Sequence, residues 1–223
     1  MITLNHPQGS AEWIQARLGK PTASNFDRII TPKTRKPSAS ADKYMWQLLA
    51  EWICGQSLDD YVSQLMERGT EMEESAVRFY ELQRDLETQA VGFCLRDDGL
   101  VGASPDRLVG DDGLLEIKCP SMVTHIGYLL NPDGLDTYNC QAQGQLWITG
   151  RQWVDLLSYN PEFPPSLVRY HRDEEFIAAL EAAVNQFIER LAFSKERLIA
   201  LGCTPIEARN QVAWSNAPKE VTP

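Results

Sequence analysis

The sequence predicts an α/β fold, a central mixed β-sheet flanked by helices. Three features carry that prediction. Short apolar, partly β-branched runs such as LLEIK and VDLLSY are bounded by turn residues and read as strands. Amphipathic runs at helical spacing, as in residues 41–54 and 173–201, read as helices. The two kinds of segment alternate through the second half of the chain, the order expected when helices cover a sheet.

Taken in order, AEWIQARL is helical, and TASNFDRII is a short helix with Thr22 or Ser24 at its N-cap. TPKTRKPSAS, rich in Pro, Ser and Lys, reads as a loop. Residues 41–54 form a strong amphipathic helix ending at Gly55, and residues 59–83 a helix with a break near Gly69. Strands are expected near 89–96, 100–109, 114–118, 153–159 and 167–171, and helices near 121–130, 137–149 and 173–201. In the last helix Phe176, Leu180, Val184, Phe187, Leu191 and Leu198 make one apolar stripe, read as core packing, and Gly202 can stop it. The 223 residues fit a single domain covering 1–223, long enough to bury a core without staples.

Composition narrows the function. The net charge is −10, from 31 acidic and 21 basic residues, which argues against a protein that coats DNA nonspecifically. It does not exclude a nuclease, because a basic channel can sit within an acidic exterior. Basic residues do group locally, with Lys33, Arg35 and Lys36 in TPKTRKP and Arg17, Lys20 and Arg28 nearby. Five scattered cysteines show no metal-ribbon spacing and fit a reducing cytosol. No signal pattern or apolar run of membrane-spanning length is present, so a cytoplasmic protein without membrane contact is expected.

The chemistry concentrates in GASPDRLVGDDGLLEIKCP, residues 102–120. On a strand Glu116 and Lys118 share a face, about 6.6 Å apart at about 3.3 Å per residue, while Leu115 and Ile117 face a core. VGASPDRLV can pair with LLEIK through a GDDG turn, setting Asp106 across from Glu116. Two carboxylates on one rigid platform suit Mg²⁺ or Mn²⁺, and a lysine beside them can act on a bound water or offset phosphate charge. The bland alternative is a solvated strand face whose ion pair contributes less than about 1 kcal/mol. Three further segments bear on the choice. In RGTEMEESAVRFYE, Glu73 lies on the small, apolar side of a helix and needs a metal or arginine partner there. In NCQAQGQLW, Gln141 and Gln145 share a helix face. In WIQARLGKPTASNF, Arg17 precedes a helix start bearing Thr22 and Ser24, a combination that suits phosphate. Each taken alone also reads as ordinary surface polarity.

In order along the chain, W-x-x-x-R-L-G-x-x-T-A-S at 13–24, R-G-x-x-x-E at 68–73, S-P-D at 104–106, L-E-I-K-C-P at 115–120 and Q-x-Q-x-Q-L-W at 141–147 resemble the lambda-exonuclease-like (YqaJ-type) phage recombination nucleases. These are a branch of the restriction-endonuclease-like PD-(D/E)xK superfamily. The resemblance spans about residues 13–159. The helix near 173–201 is family-like only in being a helix, and the tail after Gly202 carries no motif.

The resemblance implies a restriction-endonuclease-like central mixed sheet flanked by helices. It implies a Mg²⁺-dependent (or Mn²⁺-dependent) exonuclease that digests one strand of linear duplex DNA 5′→3′ from a 5′-phosphorylated end. The products would be 5′-mononucleotides and a 3′ overhang for single-strand annealing. Asp106, Glu116 and the main-chain carbonyl of Ile117 would hold metal, Glu73 would complete a second metal site, Lys118 would act on the attacking water and Gln141 would orient that water or the metal shell. Arg17, Ser24 and Ser104 would hold the 5′-phosphate. Met66 would be either a wedge at the duplex end or a core residue, and Arg35 a DNA-backbone contact. A ring-shaped homotrimer, an annealing-protein partner and a phage or prophage origin in a bacterial cell also follow. Alternatives are another PD-(D/E)xK endonuclease or junction resolvase, or an inactive DNA-end-binding protein on the same fold. The scattered cysteines disfavour the iron–sulfur-bound branch.

Overall fold

The structure, a computed structural model, describes residues 1–58 and 62–206, with side chains described for 1–58 and 72–206. Strand β1 (Ile2–Leu4) leads into helix α1 (Ala11–Arg17), whose N-cap Ser10 accepts a hydrogen bond from the Trp13 N–H. The TASNFDR segment is a 3₁₀ helix, Ala23–Arg28. Thr22 stands at its N-cap, but the side chain makes no capping bond and pairs with the Ser24 hydroxyl instead. The predicted loop at 31–40 contains a small hairpin, β2 (Ile30–Thr31) and β3 (Lys36–Pro37), with Arg35 in the left-handed region at φ 54°. Helix α2 (Ala41–Cys54) ends at left-handed Gly55, as the sequence predicts. Helix α3 (Val62–Arg84) is one element, without the predicted break near Gly69.

Both long predicted strands in the middle of the chain are divided. Residues 89–96 form β4 (Thr88–Ala90) and β5 (Phe93–Leu95), which belong to different sheets. Gly92 is the handover point. A Cβ there would lie 2.2 Å from the Leu4 carbonyl oxygen, so only glycine lets the chain pass the N-terminal segment. Residues 100–109 form β6 (Gly102–Ala103) and β7 (Arg107–Val109), separated by Ser104-Pro105-Asp106, where proline has no N–H for a ladder. The chain continues through β8 (Gly113–Lys118), α4 (Met122–Leu130), a second 3₁₀ stretch (Pro132–Tyr138), α5 (Asn139–Thr149), β9 (Trp153–Ser158), β10 (Ser166–His171) and α6 (Glu174–Ala200).

The central sheet has the order β10-β9-β8-β7-β4. It is mixed: β8 and β9 run parallel, joined through α4 and α5, and the other pairs are antiparallel. A second sheet, β1-β5-β6, is tied to the 3₁₀ helix by a bridge between Thr22 and Gly102. One face of the central sheet packs Leu115, Ile117 and Leu157 against Ala76, Val77 and Tyr80 of α3. The other packs Leu114 and Val154 against Ala142 and Leu146 of α5 and Ile177 of α6. The predicted stripe of α6, from Phe176 to Leu191, is buried in a larger core with Tyr44 and Leu48 of α2 and with Phe26. Alternation along β8 therefore sends Leu115 and Ile117 toward α3, and Glu116 and Lys118 toward α5. Among the described residues no helix is long and apolar enough to cross a membrane.

Candidate active site

The β7–β8 hairpin pairs Arg107 with Leu115 and Val109 with Gly113 across residues 110–112. Continuing that register by one residue sets Asp106 opposite Glu116, the arrangement expected from the sequence. Asp106 Oδ2 accepts the Ile117 N–H at 2.6 Å, which fixes the carboxylate against β8 just where the ladder ends. Glu116 is 4% exposed, and both its oxygens accept hydrogen bonds. Its Oε1 accepts from Lys118 Nζ at 2.7 Å and from Gln141 Nε2 at 2.6 Å, and its Oε2 accepts from Gln145 Nε2 at 2.6 Å. The two glutamines sit one turn apart on α5, so a single helix face grips both carboxylate oxygens. Gly144 lets that helix approach: a Cβ there would lie 2.5 Å from Phe26 Cδ2 in the adjoining 3₁₀ helix.

Electrostatics mark the site as anion-rich. Burial, reinforced by Glu116 and Glu73, holds the Asp106 carboxyl well above the usual aspartate range. Burial likewise raises Glu73, with Arg107 opposing and Glu116 reinforcing the shift. Burial alone would lower the Lys118 ammonium, but Glu116 and Asp106 outweigh it and hold it above the usual lysine range. Lys118 is therefore a cation here. It also donates to Gln141 Oε1 at 3.2 Å and lies 4.8 Å over the Tyr138 ring.

A cavity of about 170 Å³ is lined by Asp106, Glu116, Gln141 and Gln145 together with Trp13, Arg17, Thr22, Ser24 and Ser104. The Ser104 hydroxyl accepts from Arg17 Nη1 at 3.0 Å and from Trp13 Nε1 at 3.1 Å. With both lone pairs taken, its O–H is left to donate elsewhere. Arg17 stacks 4.1 Å above the Trp13 ring. The structure thus brings Arg17, Ser24, Ser104, Asp106, Glu116 and Gln141 to one cavity, with Lys118 joined to it through Glu116 and Gln141.

Other sequence candidates fall elsewhere. Glu73 is half-buried on α3, within the electrostatic reach of Asp106 and Glu116 but not part of the cavity lining. Ile117 contributes its N–H to Asp106. Arg35 is not among the residues lining the cavity: it pairs with Glu175 at 2.8 Å and Asp173 at 3.7 Å beside the start of α6. The Met66 side chain lies outside the described residues.

The sequence named Gln145 beside Gln141 and Thr22 beside Ser24 without assigning either a role of its own, and did not place Trp13 or Gln8 in the site. For Gln145 the signal was its spacing of four from Gln141, and for Trp13 and Thr22 their motif positions beside Arg17. Gln8 carries no signal; its amide is fixed by the carbonyls of Val91 and Pro105.

The donor set fits a hard divalent cation. Glu116 and Glu73 both reinforce the negative charge at Asp106, Glu116 Oε2 retains one lone pair, and the buried Gln145 Oε1 has no partner among the described residues. Among the described residues no three His, Cys, Asp or Glu side chains are grouped so as to hold a metal ion by themselves.

The chain is similar to known nucleases. The alkaline exonuclease of Laribacter hongkongensis is 35% identical, with a TM-score of 0.77 over 86% of this chain and 98% of that one. The same enzyme in complex with dAMP matches equally. A phage-related exonuclease from Haemophilus somnus, 16% identical, shares the fold with a TM-score of 0.61 over 78% of this chain and 96% of that one. No curated protein matches. The profile of the YqaJ-like viral recombinase domain matches residues 12–152, so the chain belongs to that family and is a nuclease of the viral recombination type.

Proposed function

We propose that this nuclease is a metal-dependent 5′→3′ exonuclease acting on linear double-stranded DNA from a 5′-phosphorylated end. It would release 5′-mononucleotides and leave a 3′ single-stranded overhang for single-strand-annealing recombination. The observation that carries the reading is the continuity of one cavity from Arg17, Ser24 and Ser104 to Asp106 and Glu116. Anion-binding groups and carboxylates in one cavity are what an enzyme measuring one nucleotide from a phosphorylated terminus requires. An internal cutter has no use for the first of these. The dAMP complex of the Laribacter enzyme accords with a mononucleotide product.

Asp106, Glu116 and the Ile117 carbonyl would hold Mg²⁺ or Mn²⁺, with Glu73 completing a second site. When bound, such ions lower the pKa of a bound water and neutralise charge on the phosphate. The chain's own groups do the rest. Arg17 and the Ser104 hydroxyl bind the terminal phosphate through charge-assisted hydrogen bonds. Lys118, held as an ammonium, offers positive charge and N–H donors to the scissile phosphate. Gln141 and Gln145 keep Glu116 from rotating. Each cleavage exposes a new 5′-phosphate, so the same pocket favours the next step. Contacts to phosphates rather than base edges make sequence preference weak.

The remaining assignments extend the same reading. The chain would act as a single nuclease domain, in the bacterial cytoplasm, on phage or prophage DNA beside an annealing protein. A homotrimer ring is supported by the family resemblance and by α4, which exposes Met122, Val123, Ile126 and Leu130.

The test is digestion of a 5′-phosphorylated linear duplex, a 5′-hydroxyl duplex and a closed circle, with Mg²⁺ or EDTA, by wild type and Lys118→Ala. Mg²⁺-dependent shortening of the phosphorylated strand from its 5′ end, lost in the variant and sparing the circle, is the expected outcome. Cutting of the circle would make the enzyme an endonuclease, and no cutting at all would make it an end-binding protein.

A further inference from the structure

We propose that Gln145 Oε1 is the docking point of the water that attacks the scissile phosphate, a role that rests on the nuclease reading above. Gln141 and Gln145 look equivalent in sequence, yet the structure gives their amides different duties. Gln141 is satisfied at both ends: its Nε2 donates to Glu116 Oε1 and its Oε1 accepts from Lys118 Nζ. Gln145 is satisfied at one end only. Its Nε2 donates to Glu116 Oε2 at 2.6 Å, while its Oε1, on a residue 1% exposed, is buried without a partner among the described residues.

The orientation of the amide is forced. Exchanging its oxygen and nitrogen would aim an acceptor at a carboxylate oxygen, where only a donor is tolerated. The orphaned acceptor is therefore built into the site, and a buried acceptor without a hydrogen bond is costly unless a ligand or water supplies one. Gln145 lines the cavity together with Asp106 and Glu116. Glu116 Oε2, the atom that holds the Gln145 amide, is also the oxygen with a lone pair to spare. A water accepted by Gln145 Oε1 would thus lie beside the Glu116 carboxylate that holds the same amide.

A neutral carboxamide is too weak a base to take the proton, so its contribution is aim. It accepts one O–H of the water and turns a lone pair toward phosphorus. The water oxygen bonds to phosphorus and the P–O3′ bond breaks with its electron pair on O3′. O3′ takes up one water proton, and the proton left on the new phosphate equilibrates with solvent. The Gln141 carbonyl already accepts from Lys118, so of the two amides Gln145 is the one whose oxygen has no bond among the described residues.

The experiment pairs a high-resolution crystal structure of the full chain, free of divalent cation, with kinetics of Gln145→Met. The crystal should show a water roughly 2.7–3.2 Å from Gln145 Oε1. The variant should lose that water and lower kcat by about 10- to 100-fold, with Kd for the phosphorylated duplex unchanged. A dry Oε1, a reversed amide, or wild-type kcat in a folded variant would overturn the inference. If Gln145→Met fails to fold, as judged by its melting, the wild-type crystal decides alone. Wild type inactive on every DNA would instead sink the nuclease reading, whereas a dry Oε1 in an active enzyme sinks only this one.

Discussion

Glu116 and Asp155 lie on neighbouring parallel strands, 4% and 0% exposed, and each accepts hydrogen bonds from several side chains. They are nevertheless opposite constructions. Asp155 is closed by cations: Arg169 grips both its oxygens at 2.7 and 2.8 Å, the Tyr80 hydroxyl donates at 2.7 Å, and Arg84 stands 3.9 Å away. Burial and this carboxylate together push the Tyr80 hydroxyl far above its ordinary value, so it remains a donor. Glu116 is held by one ammonium and two neutral amides, with Asp106 and Glu73 adding negative charge nearby. The first cluster needs nothing more and pins α3 and β10 to the sheet. The second is short of positive charge and opens onto a cavity. Burial of a carboxylate does not mark a site; what marks it is whether the protein has already neutralised the charge.

That contrast predicts opposite outcomes from removing a charge in each place. Asp106→Asn should lower nuclease activity by about 10³-fold, within the range for loss of a positioned catalytic group. It also removes a carboxylate set against Glu116 and Glu73 while keeping an oxygen to accept the Ile117 N–H. Its melting temperature in EDTA should therefore equal or exceed that of wild type, and a clear drop would show that Asp106 is structural. Arg169→Met should do the reverse. Asp155 loses its bidentate partner, and the fold should weaken by about 1–3 kcal/mol. This is below the full value for breaking a buried pair because Arg169 is 39% exposed. Activity per folded molecule should be nearly unchanged; a large loss in kcat without destabilisation would erase the distinction between the two clusters.

A smaller effect sharpens the picture of the cavity's anion-binding groups. Arg17→Ala removes a charged donor worth about 1.5 kcal/mol, so KM for 5′-phosphorylated ends should rise about 10-fold. The 5′-hydroxyl duplex lacks the group that Arg17 would bind and should not respond. Equal losses on both substrates would mean that Arg17 acts through the packing of Trp13 and Phe93, over whose rings it lies.

The contrast also explains what was legible before the structure. Strand alternation and a turn signal were enough to set Asp106 across from Glu116 and Lys118 beside it, because that part of the site is local. The family motifs supplied Arg17, Ser24 and Ser104, which local patterning alone left as surface polarity. The Asp155 cluster was invisible: an aspartate in VDLLSY looks like a solvent-facing strand residue, and its partners Tyr80, Arg84 and Arg169 come from separate elements. The division of 89–96 and 100–109 between two sheets was hidden for the same reason. What decides it is Gly92 passing the Leu4 carbonyl, a contact between segments some 90 residues apart. Gln145 fell between these cases, legible as a helix neighbour of Gln141 but distinguishable from it only once Lys118 was seen to occupy the other amide.

The smallest predicted effect supplies a carboxylate that belongs to neither class. Glu81, on α3, accepts from the Thr88 hydroxyl at 2.6 Å and from the Thr88 N–H at 2.8 Å, closing the turn into β4. These bonds lower its carboxyl below the usual glutamate range. A folded-state value below the unfolded one means that the contribution to stability is present above the ordinary carboxylate range and disappears as pH falls through the lowered folded value. Glu81→Gln keeps a carbonyl acceptor but never carries charge. Wild type should therefore melt slightly higher than the variant at neutral pH, and the gap should close in acid. Activity should be the same for both at any pH where both are folded. A gap that stays constant with pH would mean that Glu81 stabilises the turn by shape alone.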